Sequence, residues 1–355
     1  MRRLGLLAIA LAALVAPRAG AAPQGRGIWI SPERLASLPT TGPAWEALRR
    51  AAETPVTRPD LSNQEDATNV HVMAKALVAA RTGDARLREE VVRACEAAIG
   101  REGGRTLALG RELAAYAIAA DLVGLPPEAD ARFRSWLDAV RRRPLGGLTL
   151  ISTHEDRPNN WGTHAGASRI AADLYLGDAE DLERAARVFR GWLGERDRYA
   201  GFRYRDLAWQ ADPALPVGVI PLGAVRAGRS IDGVLPDDQR RSGGFRWPPP
   251  HENYVYEALQ GALAQAVMLT GAGYTPFEWG DRALLRAFRW LHDEARYPAA
   301  GDDTWESHVV NFYYGAAFPA PVPSQPGKNV GFTDWTHAAS LPLAGRVAGT
   351  ASPRN

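Results

Sequence analysis

The chain of 355 residues is 46% hydrophobic and carries 42 Lys and Arg against 40 Asp and Glu, a formal charge of +2. A balance this close to neutral excludes a globally basic nucleic-acid binder, and a polyanionic ligand would have to be met by a local cluster. The single cysteine, Cys95, lies in an apolar helical stretch and excludes an internal disulfide.

The chain opens with Met1-Arg2-Arg3, an apolar run from Leu4 to Val15 and the small-residue stretch Ala19-Gly20-Ala21-Ala22. A charged start, a short apolar core and an A-x-A-like site read as a secretory signal peptide over residues 1–21. The apolar run is too short to span a membrane, and no later segment is long and apolar enough to do so. No cysteine follows the run, which argues against a lipoprotein anchor. The expectation is a periplasmic or secreted protein in which residues 22–355 form a single domain. Removal of residues 1–21 takes away Arg2, Arg3 and Arg18 and no acidic residue, leaving a formal charge near −1.

Helix then follows helix. Residues Asp66–Arg81 place Val70, Met73, Leu77 and Val78 at helical spacing, and Thr82-Gly83-Asp84 ends the run. Ala85–Ile99 resumes it with Leu87, Val91 and Cys95. Further helices are expected at Leu107–Leu122, Glu128–Val140, Ala165–Leu176, Ala179–Leu193, Tyr254–Leu269, Trp279–Ala295 and Trp305–Tyr314. Short Gly, Pro or Asp turns separate many of them, and no run of strand alternation appears. Helical hairpins repeated in this way predict an all-α fold, an incomplete (α/α) toroid or barrel. Two stretches break the rhythm. Residues 201–251 are rich in Gly, Pro, Arg and aromatics, and residues 316–355 are Pro-rich and expected as coil. Long irregular segments in a helical domain tend to form cleft walls or lids.

The most informative stretch is Asn159-Asn160-Trp161-Gly162-Thr163-His164, placed just ahead of the expected helix at Ala165. Amides, an imidazole and a nearby phenol or guanidinium are suited to removing a proton from carbon beside a carboxylate. The amide polarises the carboxyl group while a neutral His or a Tyr takes the proton. The simpler reading is that Asn159 or Asn160 only caps the helix and that His164 is structural.

Taken in order, this hexamer, Asp232-Gly233 with Leu235-Pro236, Arg240-Arg241, and Glu252-Asn253-Tyr254 leading into Glu257-Ala258-Leu259 resemble the alginate lyase superfamily of (α/α)-toroid polysaccharide lyases. The outline runs from Ser31-Pro32 to Asp334-Trp335-Thr336-His337. The resemblance implies cleavage of a uronic-acid polymer, alginate or glucuronan-like, by β-elimination. It implies Asn160 as carboxylate neutraliser, Arg241 or Arg240 as carboxylate partner, and Tyr254 as proton donor or acid–base. The family pattern places His directly after the paired Asn, with an aromatic residue three positions later. Here Trp161 takes the first place and His164 the second, so the base is His164, His251 or a tyrosine. Asn159, Tyr204, Arg205 and Arg240 are candidates to line the cleft, and Trp161, Trp209 and Trp247 to stack on sugar rings.

No metal or other cofactor is expected, since the sequence has no HExxH, no paired Cys and no His-rich cluster. The expected partner is an anionic polysaccharide bound by a monomer. Two rivals use the same features differently. An inverting glycoside hydrolase would need two carboxylates, with Glu155, Asp156, Asp302, Asp303 and Glu306 available. A non-catalytic periplasmic polysaccharide-binding protein would hold the sugar without turnover.

Overall fold

The computed structural model describes residues 27–56 and 58–338; the expected leader peptide and the last residues of the chain lie outside the described residues. The helices are α1 (Pro32–Ser37), α2 (Pro43–Ala52), α3 (Thr68–Thr82), α4 (Ala85–Ala98), α5 (Thr106–Val123), α6 (Pro127–Arg142) and α7 (Leu150–Asp156). They continue with α8 (Asn160–Leu176), α9 (Ala179–Trp192), α10 (Pro236–Gln239), α11 (Tyr254–Gly271), α12 (Trp279–Arg289), α13 (Thr304–Tyr314) and α14 (Thr333–Thr336). The β structure of the described residues is one small hairpin, β1 (Val225–Arg226) with β2 (Arg229–Ser230), and an isolated bridge between Leu145 and Leu148. The fold is all-α, as the helical spacing predicts.

Two kinds of helix build it. The helices α3, α5, α8 and α11 are buried almost all round, from Asn69 to Ala79, Thr106 to Asp121, Asn160 to Asp173 and Val255 to Leu269. Their sequences are rich in Ala and Gly and show little amphipathic character, as expected of helices enclosed on every side. By contrast, α4, α6 and α9 bury one stripe only, such as Leu87, Val91, Ala94, Cys95 and Ala98 on α4. The first set forms an inner ring and the second an outer layer, which is the (α/α) toroid.

Glycine sets the spacing within the ring. A Cβ on Gly110 of α5 would meet the Ala165 nitrogen at 2.9 Å, and one on Gly261 of α11 would meet the His164 nitrogen at 2.4 Å. Helix α8 is therefore clamped between two neighbours at backbone contact. The inner helices also run in one direction. Ser168 Oγ donates to Gly110 O (2.8 Å) and accepts from Ala114 N (2.9 Å), and Gln265 Nε2 donates to Thr163 O (2.8 Å). The N-termini of α8 and α11 consequently open on the same side.

The Pro-rich C-terminal stretch is more than a wrapping coil. Lys328 N donates to Gln260 Oε1 on α11 (2.7 Å), and Asn69 Nδ2 on α3 donates to Lys328 O (2.8 Å). This segment bridges α11 and α3 and closes the ring. Helix α14 then packs on α2 through Trp335 and Trp45, whose ring centroids lie 5.3 Å apart.

The closure carries a buried imidazole. His337 lies between Trp29 and Phe312, with Nδ1 2.8 Å from Thr336 Oγ1. Burial, reinforced by the nearby charges of Arg34 and His308, pushes its pKa from 6.5 down to about 3. Between those values the unfolded chain binds a proton that the folded one does not, so stability falls as pH drops through this window. Melting temperature is expected to fall on acidification below pH ~6.5, and His337→Asn to show a shallower fall. Equal slopes for the two proteins would remove His337 as the source.

Candidate functional site

Helix α8 begins five residues earlier than its apolar periodicity predicts. Asn159 is the N-cap, in extended backbone, with its side chain accepting from Trp161 N (3.2 Å). The Asn160 N–H donates to Asp238 Oδ1 (3.1 Å). Two of the orphan donors of the helix start are thereby satisfied. The hexamer occupies the first turns of the helix instead of preceding it. Capping by Asn159 is real, while Asn160 is the first helical residue.

The partner carboxylates come from α10, inside the irregular stretch. Asp237 accepts from Asn159 Nδ2 (3.0 Å) and pairs with Arg240 Nε (2.8 Å). Asp238 is fully buried; burial, and then its neighbour Asp237, push its pKa well above the ordinary range. The link from Asn159 through Asp237 to Arg240 joins the hexamer to the Arg240-Arg241 pair.

Above these residues lies an open cleft of about 430 Å³. Asn159, Trp161, Arg205, Arg240 and Arg241, all expected from sequence, line it together with Arg157, Pro158, Arg203 and Asp237. Arg157 lies over the Trp161 ring at 5.6 Å, and Arg241 over the Tyr254 ring at 4.0 Å. Arg203 faces Asp156 at 3.4 Å in an exposed pair, which offsets little charge. Arg157, Arg205 and Arg241 have no ion-pair partner among the described residues, so the cleft is strongly electropositive in a nearly neutral chain. The adjoining N-termini of α8 and α11 add their positive dipole ends. Arg203 was legible in the sequence: it stands two residues from Arg205, a spacing that puts both on one side of an extended segment. Arg157 and Asp237 carried no comparable signal.

Tyr254, the first residue of α11, is 39% exposed beneath Arg241, and its hydroxyl makes no hydrogen bond among the described residues. Asn160 is enclosed one position from the cleft lining. Its amide nitrogen and oxygen have no hydrogen-bond partner among the described residues, whereas the Asn159 amide is already engaged. His164 lies a turn deeper, fully buried, with Nε2 3.5 Å from Glu257 Oε2. Burial holds its pKa below the usual value despite that carboxylate, so the imidazole is neutral at pH 7.

Four expected binding residues sit outside the cleft lining, and of these Trp209 is fully buried, its indole N–H donating to Gly243 O at 3.0 Å. Tyr204 packs against Phe202, and burial raises its hydroxyl pKa. Trp247 is half-buried under Arg229 at 5.4 Å. His251 stacks on Tyr297 at 4.5 Å, with Nε2 3.1 Å from Ala295 O.

No protein-family model matches the chain, and no curated protein matches it by sequence. Among solved structures it is similar to the crystal structure of an alginate lyase from Bacteroides ovatus. The TM-score is 0.54 at 13% sequence identity, over 86% of this chain and 98% of the other. At that identity the likeness is one of fold, and it agrees with the toroid built from the helices above. No helix of the described residues is long and apolar enough to cross a membrane.

Proposed function

We propose that the protein is an exported, monomeric polysaccharide lyase that cleaves a uronic-acid-containing polysaccharide by β-elimination. The observation that carries this reading is the arginine-lined cleft, with three guanidiniums free of ion pairs among the described residues, bordered by Tyr254, and with the buried amide of Asn160 enclosed next to its lining residues Asn159 and Trp161. The fold shared with an alginate lyase supports the same class.

The chemistry follows from the charge. The C5 proton of a uronate is weakly acidic until its carboxylate is neutralised. Arg241 and Asn160 are assigned that task, the amide engaging once the polymer parts the side chains above it. Tyr254, exposed at the cleft edge, takes the C5 proton and returns it to the leaving glycosidic oxygen. The C4–O bond breaks as the C4–C5 double bond forms, and no water is consumed. Positioned donors on the enolate-like state are the largest catalytic contribution in such sites. Trp161 offers a ring face to the sugar, while Asn159 and Arg240 hold the cleft wall through Asp237.

An inverting hydrolase needs two carboxyl groups flanking the bond. Asp237 is the one carboxylate in the cleft lining, and it is engaged by Asn159 and Arg240. Of the alternative carboxylates, Glu155 is held by Arg169 and Arg184, and Asp303 and Glu306 are buried.

The test is incubation with alginate, glucuronan and related uronans while near-ultraviolet absorbance is followed. A lyase generates the absorbing C4–C5 double bond. New reducing ends without absorbance would mean hydrolysis, and retained glycan binding with neither signal would mean a binding protein.

A further inference from the structure

A group of paired charges that the proposed reaction does not use joins α5 to α11, buried at Arg111 and Glu257 and open to solvent at Glu65 and Asp302. Arg111 of α5 is 4% exposed and forms an ion pair with Glu257 of α11. It is braced by Gln64 O (3.1 Å) and Glu65 Oε1 (3.2 Å). Lys328, on the segment that closes the ring, pairs with the same Glu65 (2.9 Å) and with Asp302 (3.4 Å). Burial works against ionisation of Glu257. His164, Arg111 and Lys328 outweigh it and hold the carboxyl well below its usual range.

Among the described residues no side-chain or backbone group makes a hydrogen bond of regular geometry to the His164 ring. Both ring nitrogens are buried; the Glu257 carboxylate, 3.5 Å from Nε2, is the charged group that faces the ring. An ionised carboxylate can only accept, so it favours the tautomer with hydrogen on Nε2. Helix geometry places this contact under the reacting groups. Asn160 and His164 are four residues apart on α8, and Tyr254 and Glu257 are three apart on α11, so each pair shares a helix face. One member stands at the cleft and the other a turn below.

We infer that Glu257, held by Arg111, is a positioning residue that keeps His164 in its Nε2–H form and so locks the turn bearing Asn160 against the turn bearing Tyr254. Gly110 and Gly261 bring the backbones together and the Gln265–Thr163 hydrogen bond ties α11 to α8; the charge contact between Glu257 and His164 adds a second link between these two helices. This inference rests on Asn160 and Tyr254 being the reacting pair. Its physical core, the state of the His164 ring, does not.

The test has two arms on the full-length protein. Nitrogen-15 histidine spectra, with His164 assigned from its loss in His164→Gln, report the tautomer. Hydrogen on Nε2 in the wild type and a shift towards Nδ1–H or a mixture in Glu257→Gln are expected. Hydrogen on Nδ1 in the wild type, or an unchanged tautomer in Glu257→Gln, overturns the inference whether or not the protein is a lyase. The second arm is kinetic, on the best uronan. Glu257→Gln and Arg111→Gln are each expected to lower kcat about tenfold or more with KM nearly unchanged, the signature of misplaced groups. The double variant should lose little beyond either single one, because the residues act as a unit, and Glu257→Asp should recover part of the rate. Fully additive losses, or losses confined to KM, overturn the positioning role. If the variants melt too early for kinetics, the wild-type tautomer still decides. If the wild type turns over no uronan, the proposed function fails and the spectra alone judge the His164 contact.

Discussion

Tyr254→Phe is expected to lower kcat by roughly 10²–10⁴-fold, the usual worth of a positioned acid–base group, while leaving KM close to that of the wild type. The ring lies under the Arg241 guanidinium at 4.0 Å, and phenylalanine preserves that face, so the packing and the cleft wall survive. The variant loses the hydroxyl, which has no hydrogen bond among the described residues. Because nothing in the fold depends on that hydroxyl, its removal costs little stability, and any large effect must come from chemistry. A loss in kcat matched in kcat/KM would mark an interaction made in the transition state alone. Near-full activity would make Tyr254 a packing residue, with the proton shuttle sought at Tyr204, Tyr256 or His164. Tyr256 is fully enclosed and donates its hydroxyl to Tyr297 O at 2.6 Å, which leaves it poorly placed for that work.

Asn160→Ala is expected to cost roughly 10²–10³-fold in kcat, the scale for losing one oxyanion-type donor. The fold should withstand the change. The helix start relies on the Asn159 side chain and on the Asn160 backbone N–H, and alanine keeps the latter. The amide also has no hydrogen-bond partner among the described residues, and a buried polar group left unpaired is itself destabilising by about 1–3 kcal/mol. Alanine should therefore melt at the same temperature as the wild type or slightly higher. Lost turnover with unchanged or raised melting temperature would mark an amide kept for function at a cost to stability. Lost turnover with a collapsed melting temperature would assign it to structure. Asn159→Ala provides the contrast, because it removes a cap and the Asp237 link and should reduce stability.

Helix existence and type were open to reading from residues 66 onward, because the apolar spacing and Gly or Asp stops are local signals. The ends were less so. The start of α8 was placed at Ala165, yet Asn160 begins it, since the Asp238 carboxylate that receives its N–H comes from 78 residues away. The helix expected over Trp279–Ala295 is instead α12 followed by a π-helical turn at Trp290–Glu294, a change in hydrogen bonding that residue spacing does not encode. Helix α7 escaped notice because seven residues are too few to show a period.

The sequence by itself determined the all-α class, the succession of helices and the chemistry on offer in the hexamer and the Arg240-Arg241 pair, and it marked the 201–251 stretch as a cleft wall or lid. Those are consequences of local composition and short-range periodicity. Only the tertiary structure decided which of these groups meet. It brought Arg157, Arg203, Arg205 and Arg241 into one cleft and left Tyr204, Trp247 and His251 outside its lining. It also sank His164 a turn below Asn160, against Glu257. Those outcomes depend on how closely α5, α8 and α11 approach at Gly110 and Gly261 and on the C-terminal segment that closes the ring. Contacts between residues far apart in the chain set burial and charge pairing, and burial and pairing decide whether a polar side chain faces the ligand or holds the scaffold.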